Sequence, residues 1–119
     1  MSFVYVFVGG GLGSICRYGL ARLAPAAGYF PLGTWLANAV SCVVLGALVA
    51  LAAKETLAEE YRWLLVTGFC GGFSTFSTFS NELVQLLRQE QYIWAGGYLV
   101  ASLAVGLLGI IVGMRIIGG

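Results

Sequence analysis

No charged residue occurs from Leu32 to Ala53, LGTWLANAVSCVVLGALVALAA. A run of that kind is as long as the hydrocarbon core of a bilayer requires, roughly 20 residues in helical form. In lipid the backbone must satisfy its own hydrogen bonds, and an α-helix does so within one segment. Three further stretches meet the same requirement: about Ser2 to Leu23, interrupted by Arg17; near Trp63 to Leu87; and about Ile93 to Ile117. The segment around Pro25, Gly28 and Pro31 has turn chemistry, and KETLAEEYR, between the second and third runs, is too polar for a bilayer. Only 9% of the 119 residues are charged against 60% hydrophobic, where a soluble domain carries about 25% charged residues. Water cannot solvate so uncharged a surface on a compact soluble fold. The chain is therefore read as an all-α membrane protein, a single four-span domain over residues 1–119.

The start, MSFVYVFVGGGLGSICR, has no basic residue ahead of its apolar run. It is read as the first span rather than a cleaved leader, which needs a positive n-region. Orientation follows the Lys/Arg bias of the loops. One side collects Lys54, Arg62 and Arg115, and the other Arg17, Arg22 and Arg88. Three against three expresses no preference, which permits insertion both ways and an antiparallel homodimer.

Small residues recur inside the spans, with Gly9 and Gly13 four apart, and Gly109 and Gly113 likewise. In lipid such spacing lets helix backbones approach closely. The three cysteines, Cys16, Cys42 and Cys70, lie in apolar stretches with no C-x-x-C spacing, so they are read as small hydrophobes. Histidine is absent, which removes the commonest general base and metal ligand. An enzyme is the poorest fit, for want of any recognisable nucleophile–base pairing.

Polar side chains at membrane depth are costly, and each is a functional candidate. Arg17 would cost roughly 2.5–3.5 kcal/mol at a helix centre, and it is assigned a structural role against backbone carbonyls. Asn38, about a third of the way into the second span, has two readings: an interhelical clasp or a donor aimed into a pore.

GFCGGFSTFSTFS, residues 68–80, sets five hydroxyl-bearing residues among four phenylalanines. On an ideal helix from Phe73 onward, at about 100° per residue, Ser74, Thr75, Ser77, Thr78, Asn81 and Glu82 share one arc. Phe73, Phe76, Phe79 and Ser80 take the opposite one. Lipid cannot satisfy such a polar arc, so it must face protein or water. The helix is cheapest to interrupt at Gly71-Gly72, and broken spans are recurrent ion sites. Hydroxyl and amide donors, with the positive edges of phenyl rings, suit a small anion. The acidic rings that serve cation pathways are missing, Glu82 being the lone acid between Glu60 and Glu90.

Three motifs, GGGLGSICRY at 9–18, GTWLAN at 33–38 and GFCGGFSTFSTFS at 68–80, resemble the Fluc/CrcB fluoride channels. Their order and spacing extend the resemblance over essentially the whole chain. It implies a passive, fluoride-selective channel that exports fluoride across the inner (cytoplasmic) membrane. It also implies an antiparallel, dual-topology dimer with two pores. The third span would be broken, and a structural Na⁺ at the dimer centre would be held by the carbonyls of Gly71 and Ser74. By motif position Asn38 matches the pore amide, and Phe76 and Phe79 match the aromatic pair of the pores. Ser77, Thr78 and Glu82 match polar groups near the ion path. Tyr98 and Ser102 match the start of a polar track on the fourth span, where Gly106 and Ile110 occupy the next two steps. The competing class is a proton-coupled multidrug transporter of four short spans. It needs a carboxylate in its first span, and this first span has none.

Overall fold

The computed structural model describes residues 1–74 and 76–118, and these are helical apart from short connections. Helix α1 (Ser2–Leu23) and helix α2 (Leu32–Ala53) follow the first two apolar runs residue for residue. Between them Ala27 and Phe30 pair their backbones across a tight turn, with Gly28 at φ 63°. A left-handed φ of this kind favours glycine. Gly33 then lets the start of α2 lie against the end of α1. A Cβ there would stand 2.9 Å from Ala21 Cα and from the Ala24 carbonyl oxygen.

The third run is assembled from pieces. Helix α3 (Glu59–Tyr61) passes into wider π-helical turns over Arg62–Cys70, then into α4 (Gly71–Phe73). Ser74 leaves the helix with φ −103°, ψ 145°, and α5 (Phe76–Arg88) carries the chain onward. Helix α6 (Tyr92–Gly118) forms the last pass; its 27 residues reach about 40 Å at the helical rise. Among the described residues α1, α2 and α6 are each long and apolar enough to cross a membrane. The third pass differs because it is split.

The split corrects the expectation that Gly71-Gly72 interrupts the helix. Gly71 is helical at φ −64°, ψ −36°, and both glycines belong to α4. Gly72 is needed for close approach: any Cβ on it would overlap the Gly10 carbonyl oxygen of α1. Its neighbour Gly71 has open space where a Cβ would go. The polar arc needs the same correction. A single helix from Phe73 onward does not exist, so Ser74 stands off the face that α5 presents, and Thr75 lies outside the described residues.

Two parallel helix pairs build the subunit. Gly9 and Gly13 of α1 admit the backbone of the third pass at Leu64 and Phe69, and Gly68 and Gly72 return the contact at Val6 and Gly10. Gly46 of α2 meets the backbone of Ile110, and Gly113 of α6 meets Val43. Each contact brings backbone to backbone, the geometry that small residues allow in lipid. At one end of the α2–α6 pair a small core forms from Phe79, Leu86, Ala95 and Tyr98, with Phe30, Trp35 and Leu83 packed around it.

Candidate functional site

The break in the third pass is fastened from both neighbouring helices. The Cys70 carbonyl accepts from the Ser74 N–H at 3.1 Å, from Ser74 Oγ at 2.9 Å and from Ser41 Oγ of α2 at 3.4 Å. From α1, Arg17 Nε donates to the Gly72 carbonyl at 3.2 Å. The last carbonyls of a helix have no partner of their own. A guanidinium there meets that need and the negative end of the helix dipole together.

On one side of α5 lies a cavity of about 280 Å³ lined by Asn38, Cys42, Ser74, Phe76, Phe79, Ser102, Leu103 and Gly106. Residues from α2, the break, α5 and α6 thus meet in one cleft. The Ser102 hydroxyl oxygen is buried and finds no hydrogen-bond partner among the described residues. A buried hydroxyl without a partner costs about 1–3 kcal/mol, and Ser102 is among the residues that line the cleft. The two rings differ in setting: Phe79 is 8% exposed and Phe76 is 80% exposed. Their centroids are 6.1 Å apart at an interplanar angle of 45°.

A second cavity, of about 300 Å³, opens between the 24–31 turn and the later turns of α5, and includes Gly33, Thr34, Glu82, Gln85 and Gln89 in its lining. Glu82 is held by two hydroxyls from different helices. Thr34 Oγ1 donates to Oε2 at 2.9 Å and Tyr98 Oη donates to Oε1 at 2.8 Å. Tyr98 is fully buried, its ring 5.1 Å from Phe79 and edge-on to Phe30 at 5.4 Å and 83°. Phe79 lines the first cavity and Glu82 the second, with Tyr98 touching both residues. Tyr98 thus links a residue that lines the first cavity to one that lines the second.

The structure therefore brings Asn38, Ser74, Phe76, Phe79 and Ser102 together in one chamber, and sets Glu82 and Tyr98 outside its lining, joined to it through the contact of Tyr98 with Phe79. Ser77 is exposed on α5 and Thr78 is half-buried, and neither lines either chamber. Gly71 is exposed one helical step before the break. Two participants are not assigned to the site by the sequence: Thr34, which binds Glu82, and Cys42, which lines the first chamber. A signal for both existed, since they stand four residues before and four after Asn38 on one face of α2.

A broken helical pass folded against three continuous apolar helices, with a polar cleft at the break, defines a small multi-pass membrane protein. The chain belongs to the CrcB family: the family model described as CrcB-like protein, Camphor Resistance (CrcB), matches residues 4–114. Among curated relatives, the fluoride-specific ion channel FluC of Phocaeicola vulgatus is 38% identical over 115 residues, covering 95% of each chain. The protein of that name from Chlorobium phaeobacteroides is 42% identical over 109 residues, covering 90% of this chain and 84% of its own. That from Helicobacter acinonychis is 36% identical, with 93% and 91% covered.

Proposed function

We propose that this protein is a fluoride-selective channel that lets fluoride leave the cell passively across the inner (cytoplasmic) membrane. The observation that carries the reading is the chamber at the break, where the unpartnered Ser102 hydroxyl shares the lining with Asn38 and the two phenylalanines. The Asn38 amide hydrogen-bonds no other described residue, so its N–H donors are free for an ion. A small anion of high charge density gains most from hydroxyl and amide donors. The positive ring edges of Phe76 and Phe79 reward the same charge. The curated relatives named above carry the fluoride-specific name, which supports the choice of ion.

The working unit is an antiparallel, dual-topology homodimer with two pores. Supporting this, α5 leaves Phe76 and the polar Asn81 exposed in the single subunit. Polar groups at membrane depth must face protein or water, and a second copy in inverted orientation covers them. The even division of Lys and Arg between the two sides supports insertion both ways.

The Na⁺ expected at the dimer centre fits the residues present. Ser74 is extended, which turns its carbonyl out of the helical ladder, and Gly71 has open space on its outer side. Hard cations take oxygen ligands, and backbone carbonyls recur as ion ligands at helix breaks. Gly71 and Ser74 would hold the ion together with the same pair from the second copy, and the ion would fix the two breaks against each other.

Reconstituted into liposomes loaded with potassium fluoride, the protein should release fluoride on addition of valinomycin and retain chloride under the same conditions. Release that requires a proton gradient, or no release at all, rejects the reading. Cysteine pairs across the α5 faces that cross-link only in the antiparallel arrangement test the dimer separately.

A further inference from the structure

At the far end of α2 from the Glu82 chamber, a cavity of about 410 Å³ lies where α2 and α6 finish side by side. Ala50, Ala53, Ile111 and Met114 give it apolar walls, and Lys54 and Arg115 complete the lining with Gly118. No residue of the ion path contributes to it.

Its two cations are held differently. Lys54, the first residue after α2, donates its ammonium to the Ile117 carbonyl at 2.8 Å. That contact fixes the ammonium against the end of α6 and leaves two of its three donors for another acceptor. Arg115 is exposed and engages no other described residue. Glu55, Glu59 and Glu60 belong to the same end of the molecule, yet none lines the cavity. Attraction of cations to helix C-termini accounts for Lys54. It does not account for Arg115, whose guanidinium meets no carbonyl of the described residues.

Both helices end here, so the cavity sits at the level where hydrocarbon gives way to headgroups, the level to which Lys and Arg extend their ends. We propose that it is a binding site for an anionic phospholipid of the surrounding bilayer. The headgroup phosphate sits between Lys54 and Arg115, and the glycerol and first methylenes lie against Ile111 and Met114. Arginine suits the planar, forked recognition of phosphate oxygens and lysine adds a point charge. Free phosphate would leave the apolar walls uncovered.

The test uses the full chain released from mixed micelles of phosphatidylglycerol and phosphatidylcholine, with retained lipids counted by native mass spectrometry. Phosphatidylglycerol should be retained in preference. The double variant Lys54→Gln/Arg115→Gln should lower that preference roughly tenfold, while the charge-matched Arg22→Gln/Arg62→Gln leaves it unchanged. Arg115→Gln alone has no partner to lose, so it should keep the parent melting temperature and still lose part of the preference. Millimolar inorganic phosphate should not displace the lipid. Equal retention by parent and Arg115→Gln, an equal loss in the control variant, or displacement by phosphate overturns the proposal.

Discussion

Tyr98 and Glu82 join α6 to α5 through a single hydrogen bond, Oη to Oε1 at 2.8 Å, two turns along α5 from the break in the third pass. Thr34 fills the other carboxyl oxygen, so the carboxyl group ties three passes together. A hydrogen bond to a carboxyl group is worth about 0.5–3 kcal/mol, the upper part of that range applying to an ionised group. Tyr98→Phe keeps the ring in its place against Phe79 and Phe30 and removes only the donor. The expected result is a loss of about that size in thermal unfolding of the detergent-solubilised protein, with a several-fold fall in fluoride efflux. A variant as stable and as active as the parent would mean that the bond holds nothing.

The two phenylalanines separate stability from transport. Phe79 is buried in the small core, and Phe79→Ala should cost about 3–5 kcal/mol, read as loss of the monodisperse peak on size exclusion. Phe76 has little to lose within the subunit, since it is 80% exposed. Phe76→Ile should leave a folded subunit and sharply reduce fluoride efflux. Efflux at the parent rate would remove this ring from the ion path.

Span limits were legible because apolar length and turn chemistry fix them locally. Ser2–Leu23 and Leu32–Ala53 were read with the limits they have in the structure. The break was not legible to the residue. Local propensity points to Gly71-Gly72, but Gly72 is held in helical form by its fit against Gly10, a contact between passes that no local rule contains. Glu82 shows the same limit. Neighbouring hydroxyls on its own helix are the partners that sequence offers, while its actual partners, Thr34 and Tyr98, come from two other helices. Cys42 was read as a small hydrophobe, and that description holds for its chemistry. Its position on the chamber wall follows from how α2 packs on α6.

Glycines of one motif have opposite tolerances. In GGGLG, Gly13 faces the third pass, where a Cβ would overlap the Phe69 carbonyl oxygen, while Gly11 has nothing within 4 Å. The obstacle at Gly13 is backbone and cannot swing aside as a side chain would. Gly13→Ala should destabilise by roughly 1–3 kcal/mol or more, and Gly11→Ala should be neutral within the subunit. Matched melting curves of the two variants check the contrast, and a tolerated Gly13→Ala would refute the packing of α1 on the third pass.

Ser102 offers the sharpest separation of roles, because the effects expected of its hydroxyl on folding and on transport carry opposite signs. Its hydroxyl is buried without a partner among the described residues, so the folded protein bears the cost of removing it from water with nothing in return from them. Ser102→Ala relieves that cost and should leave stability unchanged or raise it by about 1 kcal/mol. If the hydroxyl donates to the passing ion, the same substitution should lower fluoride efflux. Ser102→Thr keeps the donor and should retain most of the flux. A purely structural serine would give the reverse pattern, with stability lost in Ser102→Ala and efflux at the parent rate. Melting temperature and efflux measured on one preparation of each variant decide between them.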